Sequence, residues 1–350
     1  MLPSKKVLLT GWLLLLGLTR IITYGQPDSD HYCIAFYNVE NLFHPTKDSI
    51  HQDDAFTPDG LYHWSYKKYH RKISNIAKVM IALGKGNPPD IIGLAEIENK
   101  SVLDDLCKRS PLKKYHYQSI HYDCGDRRGI DVALLYRKER IRILNAHPIK
   151  VIFPFELHSG NRDILSVMIQ LPNDDTLYVF VNHWTSRYGG YAATVPKRNF
   201  YASVLKEKTD SLSRRFPDPY IIIMGDFNDY PDNESMANIL KARHPEEKDK
   251  CHLINLMYDY HEMANMGSHK YEDFWGCLDQ IIVSGNLLKG GFSLKIMDEK
   301  AHILKEPFMV IPDEKYGGDK PFRTFSGPRY LGGYSDHLPV FIHLIVQHPQ

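Results

Sequence analysis

The sequence predicts an α/β (α+β) protein in which short buried strands outnumber helices. Nine apolar runs of five to nine residues are each bounded by turn-forming residues, the pattern expected of strands inside a sheet. The chain of 350 residues, with 43% hydrophobic and 12% aromatic residues, can build a sizeable core. Its length suits one large α/β or double-sheet domain.

The elements follow from these runs in chain order. Strands are predicted at residues 33–37, 91–95, 131–137, 141–149, 164–171, 177–181, 220–224, 278–283 and 340–345. Helices are predicted at 67–83 and 196–212, where apolar side chains recur on one face, and shorter helices at 102–107 and 234–242. Residues 305–333, with paired glycines and scattered basic residues, are predicted to form a long loop that either faces the substrate or runs over the surface.

The first 25 residues have the pattern of a secretory signal peptide. Lys5 and Lys6 precede an apolar run over 7–18, and the small residue Gly25 precedes a polar segment. The alternative is an uncleaved membrane anchor, but the apolar run is shorter than the ~20 residues that a span needs, and Arg20 interrupts it. We therefore expect export to the periplasm or the extracellular space, no stable membrane insertion after cleavage, and a single domain over 26–350, since no linker or internal repeat divides the rest.

The charge balance excludes binding by a global electrostatic field. The chain carries 43 basic and 42 acidic residues, and removal of Lys5, Lys6 and Arg20 leaves 40 and 42, a formal charge of about −2. Any anion must therefore be bound locally. The five cysteines are odd in number and lack close zinc-ligand spacing, so at most two disulfides are expected and free buried thiols are the simpler interpretation.

Six junctions between strands and loops carry the informative polar residues. Taken singly, each such residue is typical of a turn or a satisfied core histidine, but function collects where strands end. The junction residues are Asn38, Glu96, Asn182 with His183, Asp226 with Asn228, Asp279, and Asp336 with His337.

Read in order, these junctions form a family pattern. The motifs are FYNVENL (36–42), GLAEIEN (93–99), NHW (182–184), GDFN (225–228) and SDHLP (335–339). The sequence resembles the endonuclease/exonuclease/phosphatase superfamily, with its DNase I-like fold, over essentially the whole mature length. It looks most like secreted bacterial, nuclease-like members. The resemblance implies a four-layer sandwich of two packed mixed β-sheets flanked by helices, with the catalytic site at one edge.

The resemblance also implies a divalent metal. Glu96 is the first expected ligand, and Asn38 and Asp336 complete or orient the coordination sphere. Oxygen ligands without a cysteine or histidine cluster favour Mg²⁺ or Mn²⁺ over zinc, with Ca²⁺ as an alternative.

The remaining site residues are expected to move protons and contact phosphate. By resemblance, His337 is the general base or the carrier of a proton in the transition state, with its tautomer fixed by Asp279. Asp226 and Asn228 hold water and a phosphate oxygen, although Asp226 is itself the base in some relatives, so the division between Asp226 and His337 stays open.

His183 is expected on the other side of the phosphate, where it stabilises the phosphate or protonates the leaving oxygen, with Asp131 as its carboxylate partner. Arg128 and Arg187 are predicted to contact phosphate, because guanidinium groups bind phosphate oxygens in pairs; plain solvated surface is the alternative.

The predicted function is an exported, metal-dependent phosphoester hydrolase, a nuclease that cleaves DNA or RNA. Within the same fold the alternatives are a phosphatase and a phospholipid phosphodiesterase, of the inositol-phosphate or sphingomyelin type. The alternative of another class is a catalytically inactive secreted binding module. The pattern does not distinguish endonuclease from exonuclease action.

Overall fold

The computed structural model describes residues 30–48, 51–156, 160–247, 253–263 and 265–347. The predicted signal peptide and Cys251 lie outside these residues. The other four cysteines after the signal, Cys33, Cys107, Cys124 and Cys277, are free thiols. No helix in the described ranges has the length and apolar character needed to cross a bilayer.

Strands dominate the described chain. In order they are β1 (His31–Leu42), β2 (Ile91–Ile97), β3 (Tyr117–His121), β4 (Asp131–Arg137), β5 (Arg142–Ile149), β6 (Ile164–Gln170), β7 (Thr176–His183), β8 (Tyr220–Asp226), β9 (Ala242–Arg243), β10 (Leu253–Asn255), β11 (His269–Tyr271), β12 (Phe274–Gly276), β13 (Asp279–Ser284), β14 (Leu294–Ile296), β15 (His302–Ile303), β16 (Val310–Pro312), β17 (Asp319–Pro321), β18 (Phe325–Ser326), β19 (Arg329–Tyr330) and β20 (Val340–Val346).

Helices are fewer. They are α1 (Tyr66–Leu83), α2 (Lys100–Arg109), α3 (Tyr191–Arg215), α4 (Tyr258–Glu262) and a π-helix (Ser235–Leu240), with 3₁₀ turns at Asp54–Phe56, Pro111–Tyr115, Gly285–Leu288, Met297–Glu299 and Pro307–Met309. Side-chain caps begin the first two helices: the Ser65 hydroxyl accepts from the N–H of Lys68, and the Asn99 carbonyl oxygen accepts from two backbone N–H groups.

Two seven-stranded mixed sheets organise the described residues. The first has the order β14-β20-β1-β2-β4-β3, with β15 also paired to β20, and the second has the order β5-β6-β7-β8-β13-β10-β9. Strands β1 and β2 are parallel, as are β7 and β8, whereas β20 runs antiparallel to β1 and β13 antiparallel to β8.

The apolar runs of the sequence are buried on both faces, and their alternation separates three cores. Ile34 and Phe36 of β1 pack with Ile222 and Met224 of β8 between the two sheets. The alternate residues point outward: those of β1 and β2 pack under α1 and α2, and those of β8 pack under α3. The layers are thus helices, sheet, sheet and helix, which confirms the predicted sandwich.

Three predicted elements differ from the structure. Helix α3 begins at Tyr191, so Pro196 lies inside it rather than at its start. The predicted helix at 234–242 is a short π-helix that ends where Lys241 takes a left-handed φ of +60°, and Ala242 already belongs to β9. Residues 305–333 are not an open loop, because they form two small hairpins, β16–β17 and β18–β19.

Candidate active site

The topology brings all six predicted junctions to one edge of the sandwich. Parallel strands end at the same edge, so Asn38 of β1 lies near the end of β2, and His183 of β7 is paired in register with Asp226 of β8. The antiparallel partners start where these strands end: Asp279 opens β13 directly opposite Asp226, and residues 335–337 precede β20.

Asp226 lies at the centre of the site. The amide nitrogen of Asn38 donates to Asp226 Oδ2 over 3.1 Å and so joins the two sheets. The other oxygen, Oδ1, accepts from the backbone N–H of Asn228 over 3.0 Å, with Asn228 at a left-handed φ of +52°. Burial raises the pKa of Asp226 to about 7, and the Asp279 carboxylate adds to the rise, although the His337 ring opposes it.

His337 and Asp279 form a buried pair, as the sequence predicts. His337 Nδ1 and Asp279 Oδ2 are 2.6 Å apart, and His337 Nε2 lies 3.9 Å from Asp226 Oδ2. Burial lowers the pKa of His337, but the carboxylates of Asp279, Asp226 and Asp336 outweigh it, and the net pKa lies well above the usual value for histidine. The ring is therefore an imidazolium at neutral pH in the protein alone.

His183 lies beside the same Asp226 oxygen as His337. Its Nε2 is 3.6 Å from Asp226 Oδ2 and 4.0 Å from Glu96 Oε1, whereas its buried Nδ1 finds no hydrogen-bond partner among the described residues. Burial lowers the pKa of His183 well below its usual value, and the guanidinium groups of Arg162 and Arg128 lower it further. His183 is neutral at physiological pH, which suits hydrogen-bond donation better than proton transfer.

The oxygen donors fit a divalent cation. Glu96 has a left-handed φ of +63°, and its Oε2 accepts from the N–H of Asn41 over 2.8 Å, which leaves Oε1 facing His183 Nε2. Ligand atoms of Asp226, Asp279 and His337 all lie within 4.8 Å of one another. Carboxylate oxygens are the donors that hard cations take, whereas the amide oxygen of Asn38 accepts from the backbone N–H of Glu40 over 3.0 Å.

Asp336 joins the site through an ion-pair network that the motifs do not reveal. Arg323 donates to Asp336 Oδ2 over 2.8 Å and to Glu40 Oε1 over 3.4 Å. Glu40 also lies 3.8 Å from the ammonium group of buried Lys72 and accepts from the N–H of Thr324 over 2.6 Å. One oxygen of Asp336 is thus occupied by a guanidinium, and the segment between β17 and β18 is tied to the end of β1.

One predicted partnership is absent from this structure, and one predicted phosphate ligand is already engaged by protein groups. Asp131 does not pair with His183, because its Oδ2 lies 2.9 Å from His121 Nε2 and its Oδ1 accepts from the N–H of Cys124. Arg187 does not point an open guanidinium at a phosphate, since it donates to the Asn228 carbonyl oxygen over 2.7 Å and to Asn233 Oδ1 over 2.9 Å. It holds the loop behind Asn228.

Arg128 remains a candidate for contact with a phosphate group. Its side chain is 54% exposed, and its nearest carboxylate, Asp126, is 3.7 Å from its Nε. Asn228 also stays at the site, where its side-chain amide donates to the Trp184 carbonyl oxygen over 3.1 Å.

The sequence reasoning missed Arg323, Arg162 and His269. Arg162 donates from Nε to the His183 carbonyl oxygen over 2.9 Å, and the His269 ring centroid lies 4.7 Å from that of His337. None of the three lies in a motif or at the end of a predicted strand. For Arg162 the sequence offered one signal, its position next to Asn161 shortly before the strand predicted at 164–171.

Comparison with known families decides the classification. A family model described as the Endonuclease/Exonuclease/phosphatase family matches residues 33–346, which contain every junction residue above. The chain belongs to this family. Its members are metal-dependent phosphoester hydrolases, so the protein is a phosphoester hydrolase, and the resemblance inferred from the motifs is confirmed.

Solved structures of other family members share the fold at low identity. An endonuclease/exonuclease/phosphatase family protein from Bacteroides thetaiotaomicron is 18% identical, with a TM-score of 0.55 over 91% of this chain and 99% of its own. A mannosyl-6-phosphatase from the same organism is 18% identical, with a TM-score of 0.53 over 90% and 99% of the two chains.

A humanized zebrafish (D. rerio) TDP2 is 15% identical, with a TM-score of 0.55 over 91% of this chain and 99% of its own. A D. rerio TDP2 has also been solved with a single-strand DNA product; it is 15% identical, with a TM-score of 0.53 over 90% and 98% of the two chains. No protein of curated function matches the chain.

Proposed function

We propose that the protein is a Mg²⁺- or Mn²⁺-dependent nuclease that cleaves the phosphodiester bonds of DNA or RNA. The observation that carries the reaction class is the pair of histidines within 4.0 Å of one Asp226 oxygen: His337, which is held by Asp279, and the neutral His183. A scissile phosphate between them meets a base, a cationic ring and a neutral hydrogen-bond donor at once.

The protonation states of Asp226, His337 and His183 assign a different role to each residue. Asp226, with a pKa of about 7, accepts the proton of the attacking water near neutral pH. His337, held as an imidazolium by Asp279, stabilises charge on the phosphoryl oxygens instead of acting as the base. His183 donates an N–H hydrogen bond to the phosphate or the leaving oxygen, because its lowered pKa keeps it uncharged.

Glu96 would hold a divalent cation, with Asn38 at the edge of the site and with Asp336 oriented by Arg323. When bound, a divalent cation neutralises phosphate charge and favours the attacking water as hydroxide. The oxygen-rich donor set supports Mg²⁺ or Mn²⁺ as its identity.

A phosphomonoester phosphatase is the second candidate. Similarity to the mannosyl-6-phosphatase favours it, whereas similarity to TDP2 with its single-strand DNA product favours the nuclease. We prefer the nuclease because the motifs look most like those of secreted, nuclease-like members of the family.

An activity panel tests the proposal. We expect purified protein with Mg²⁺ or Mn²⁺ to degrade plasmid DNA, single-stranded DNA or RNA, and His337→Gln to lose at least about 100-fold of that rate, the scale of one electrostatic contact. Arg142→Gln, on the exposed edge strand β5, is the matched control. Release of phosphate from sugar phosphates, with nucleic acids left intact, would establish the phosphatase instead. Chelator-insensitive binding without turnover would establish an inactive binding module.

We further propose export, on the signal-peptide pattern of residues 1–25. Expression of the full chain in a bacterial host should give periplasmic or secreted protein whose N-terminus begins near Gln26. An intact N-terminus in the cytoplasmic fraction would contradict export, and an intact N-terminus in the membrane fraction would indicate the anchor.

A further inference from the structure

The β11–β12 hairpin carries an aromatic face that begins at His337. His269, the first residue of β11, forms an isolated backbone bridge with His337, and the centroids of their rings are 4.7 Å apart. Side chains two residues apart on a strand point the same way, and so do side chains directly opposite each other across a hairpin. Tyr271 therefore shares the face of His269, and so does Phe274, which pairs with Tyr271 in register. We call His269, Tyr271 and Phe274 the hairpin face.

Tyr230 continues the hairpin face toward the second sheet. The rings of Tyr230 and Phe274 meet edge to face with their centroids 5.6 Å apart. A Cβ at Gly276 would come within 2.5 Å of the Tyr230 ring, so the glycine allows this ring to lie against the hairpin. The Arg187 guanidinium, which donates to the Asn228 carbonyl oxygen, lies 4.1 Å from the centre of the Tyr230 ring. The rings thus form a continuous rim between the hairpin and the Asn228 loop.

Contacts on the opposite face of the hairpin hold these rings in place. Lys270 donates to Asp313 Oδ2 over 2.9 Å, and both side chains are buried. Trp275, which pairs with Lys270, is also buried, and the Lys305 ammonium group lies 4.4 Å from the centre of its ring. The hairpin is therefore fixed before a ligand arrives, so that little ordering is required on binding.

The outer rings of the hairpin face are open to solvent. Tyr271 is 68% exposed and Phe274 is 39% exposed. The turn between the two strands consists of Glu272 and Asp273, both exposed. These carboxylates repel phosphate groups and anionic lipids, but they do not repel a flat neutral ring, which gains stacking contact with the aromatic side chains. The charge of the turn therefore indicates a neutral aromatic group as the occupant.

We propose that the hairpin face and Tyr230 stack an unpaired base of the substrate, next to the phosphate held at the catalytic site. This inference rests on the proposed function and narrows its substrate to single-stranded nucleic acid. His269 is in contact with His337, so a base on the hairpin belongs to a nucleotide that adjoins the scissile phosphate. Bases within a duplex are stacked on their neighbours, and only an unpaired base offers its face to a side chain.

Oligonucleotides with and without bases test the hairpin face. We compare a short single-stranded oligothymidylate with an oligomer of the same length made of abasic tetrahydrofuran units. In Tyr271→Ala/Phe274→Ala the ratio of kcat/KM for the oligothymidylate over the abasic oligomer should fall about tenfold, or about 1.4 kcal/mol. Tyr271→Phe, which retains the ring, should keep the wild-type ratio. Leu144→Ala, at a residue that is also 39% exposed but lies on β5, is the matched control, and circular dichroism verifies folding.

The outcomes separate the two proposals. An unchanged ratio in the double variant, or equal losses on both oligomers, overturns the stacking assignment and leaves the nuclease intact. Annealing the oligothymidylate to oligoadenylate should slow its cleavage by the wild-type protein and reduce the effect of the double variant. An equal effect of the double variant on the single-stranded and annealed forms would contradict an unpaired base.

If neither oligomer is cleaved, the nuclease proposal fails and binding decides the stacking. Fluorescence anisotropy of the labelled oligomers in the presence of Mg²⁺ then gives their Kd values. Equal Kd values for the two oligomers, or equal binding of oligothymidylate by wild type and double variant, reject the stacking. Loss of sedimentation with phosphatidylcholine vesicles in the double variant, with oligonucleotide binding unchanged, would assign the hairpin face to a membrane surface instead.

Discussion

Asp226 is the residue on which the protonation of the site depends. A surface aspartate would be fully ionised at pH 6, but burial raises the pKa of Asp226 to about 7. The neighbouring His337 has its pKa raised, so the carboxylate and the imidazolium coexist in a window that starts near neutral pH. The proposed division between base and charge stabiliser is restricted to this window.

The pH dependence of turnover follows from this arrangement. Asp226 must be unprotonated to accept a proton, so kcat/KM should fall about tenfold per pH unit below the apparent pKa. A bound cation lowers that pKa, so the midpoint should lie at or below about 7 and move to lower pH as the Mg²⁺ concentration rises. Steady-state kinetics from pH 5 to 9 at two Mg²⁺ concentrations measure this; a profile without an acidic limb would exclude Asp226 as the base.

Glu96 and Glu98 are two glutamates of one segment, and the second serves as a control for the role of the first in metal binding. Glu96→Gln should raise the metal concentration for half-maximal activity by about 10- to 100-fold, because it removes a ligand carboxylate. Burial raises the pKa of Glu98 to about 8, so this side chain is already neutral at pH 7 and Glu98→Gln should leave the titration unchanged. Activity against Mn²⁺ concentration measures both, and similar curves for the two variants would remove Glu96 from the ligand set.

A buried charge network joins helix α1 to strand β1 and to the hairpin segment before the last motif. The Lys72 ammonium group donates to the Thr324 hydroxyl and to the Tyr334 carbonyl oxygen, and it lies 3.8 Å from Glu40 Oε2. Burial raises the pKa of Glu40, and Lys72 and Arg323 counteract the rise. The network fixes the position of Arg323 and, through it, of Asp336.

Removing one charge from this network should destabilise the fold. Lys72→Met leaves Glu40 in a buried site with its ammonium partner gone, and the free energy of unfolding should fall by about 3 kcal/mol. Lys72→Met/Glu40→Gln should recover more than half of that loss, because no buried charge is then deprived of its partner. Urea denaturation measures the cycle, with Lys67→Met on the exposed face of α1 as control. A single variant as stable as wild type would show that Glu40 is neutral in the native protein.

For the whole molecule, the order of the strands couples distant parts of the chain. The first strand pairs with the last, and β13 lies beside β8 in the second sheet although it follows α4 and the β11–β12 hairpin in sequence. The core between the sheets takes residues from both, and Asn38 and Asp226 bridge them. Neither sheet can lose its packing without exposing the other's inner face.

This coupling predicts one cooperative unfolding transition for the predicted single domain. Trp64 and Trp184 are fully buried in the outer cores on opposite sides of the sandwich, so fluorescence reports from both. Far-UV circular dichroism and fluorescence of Trp64→Phe and of Trp184→Phe should each give one urea midpoint common to both probes. Separate midpoints for the two probes would indicate that the sheets unfold as independent units.

The sequence predicted the main strands and, through the family resemblance, the pairing of His337 with Asp279. Strands buried on both faces are apolar throughout, so they are visible in composition alone, and the motif residues lie at or beside their ends. Residues without such a local signature were missed. Strand β3, with one fully buried residue, and the small hairpins of 310–330 depend on contacts with distant parts of the chain.

Tertiary structure alone decided the partners of the other site residues. Asp131 pairs with His121, ten residues away across the β3–β4 pair, and not with His183. Arg323 reaches Glu40 from 283 positions along the chain. Such partners are chosen by the packing of two sheets and by the need to compensate each buried charge. The sequence determines which groups are present at the edge of the sandwich, whereas their orientations and pKa values arise only when the sheets come together.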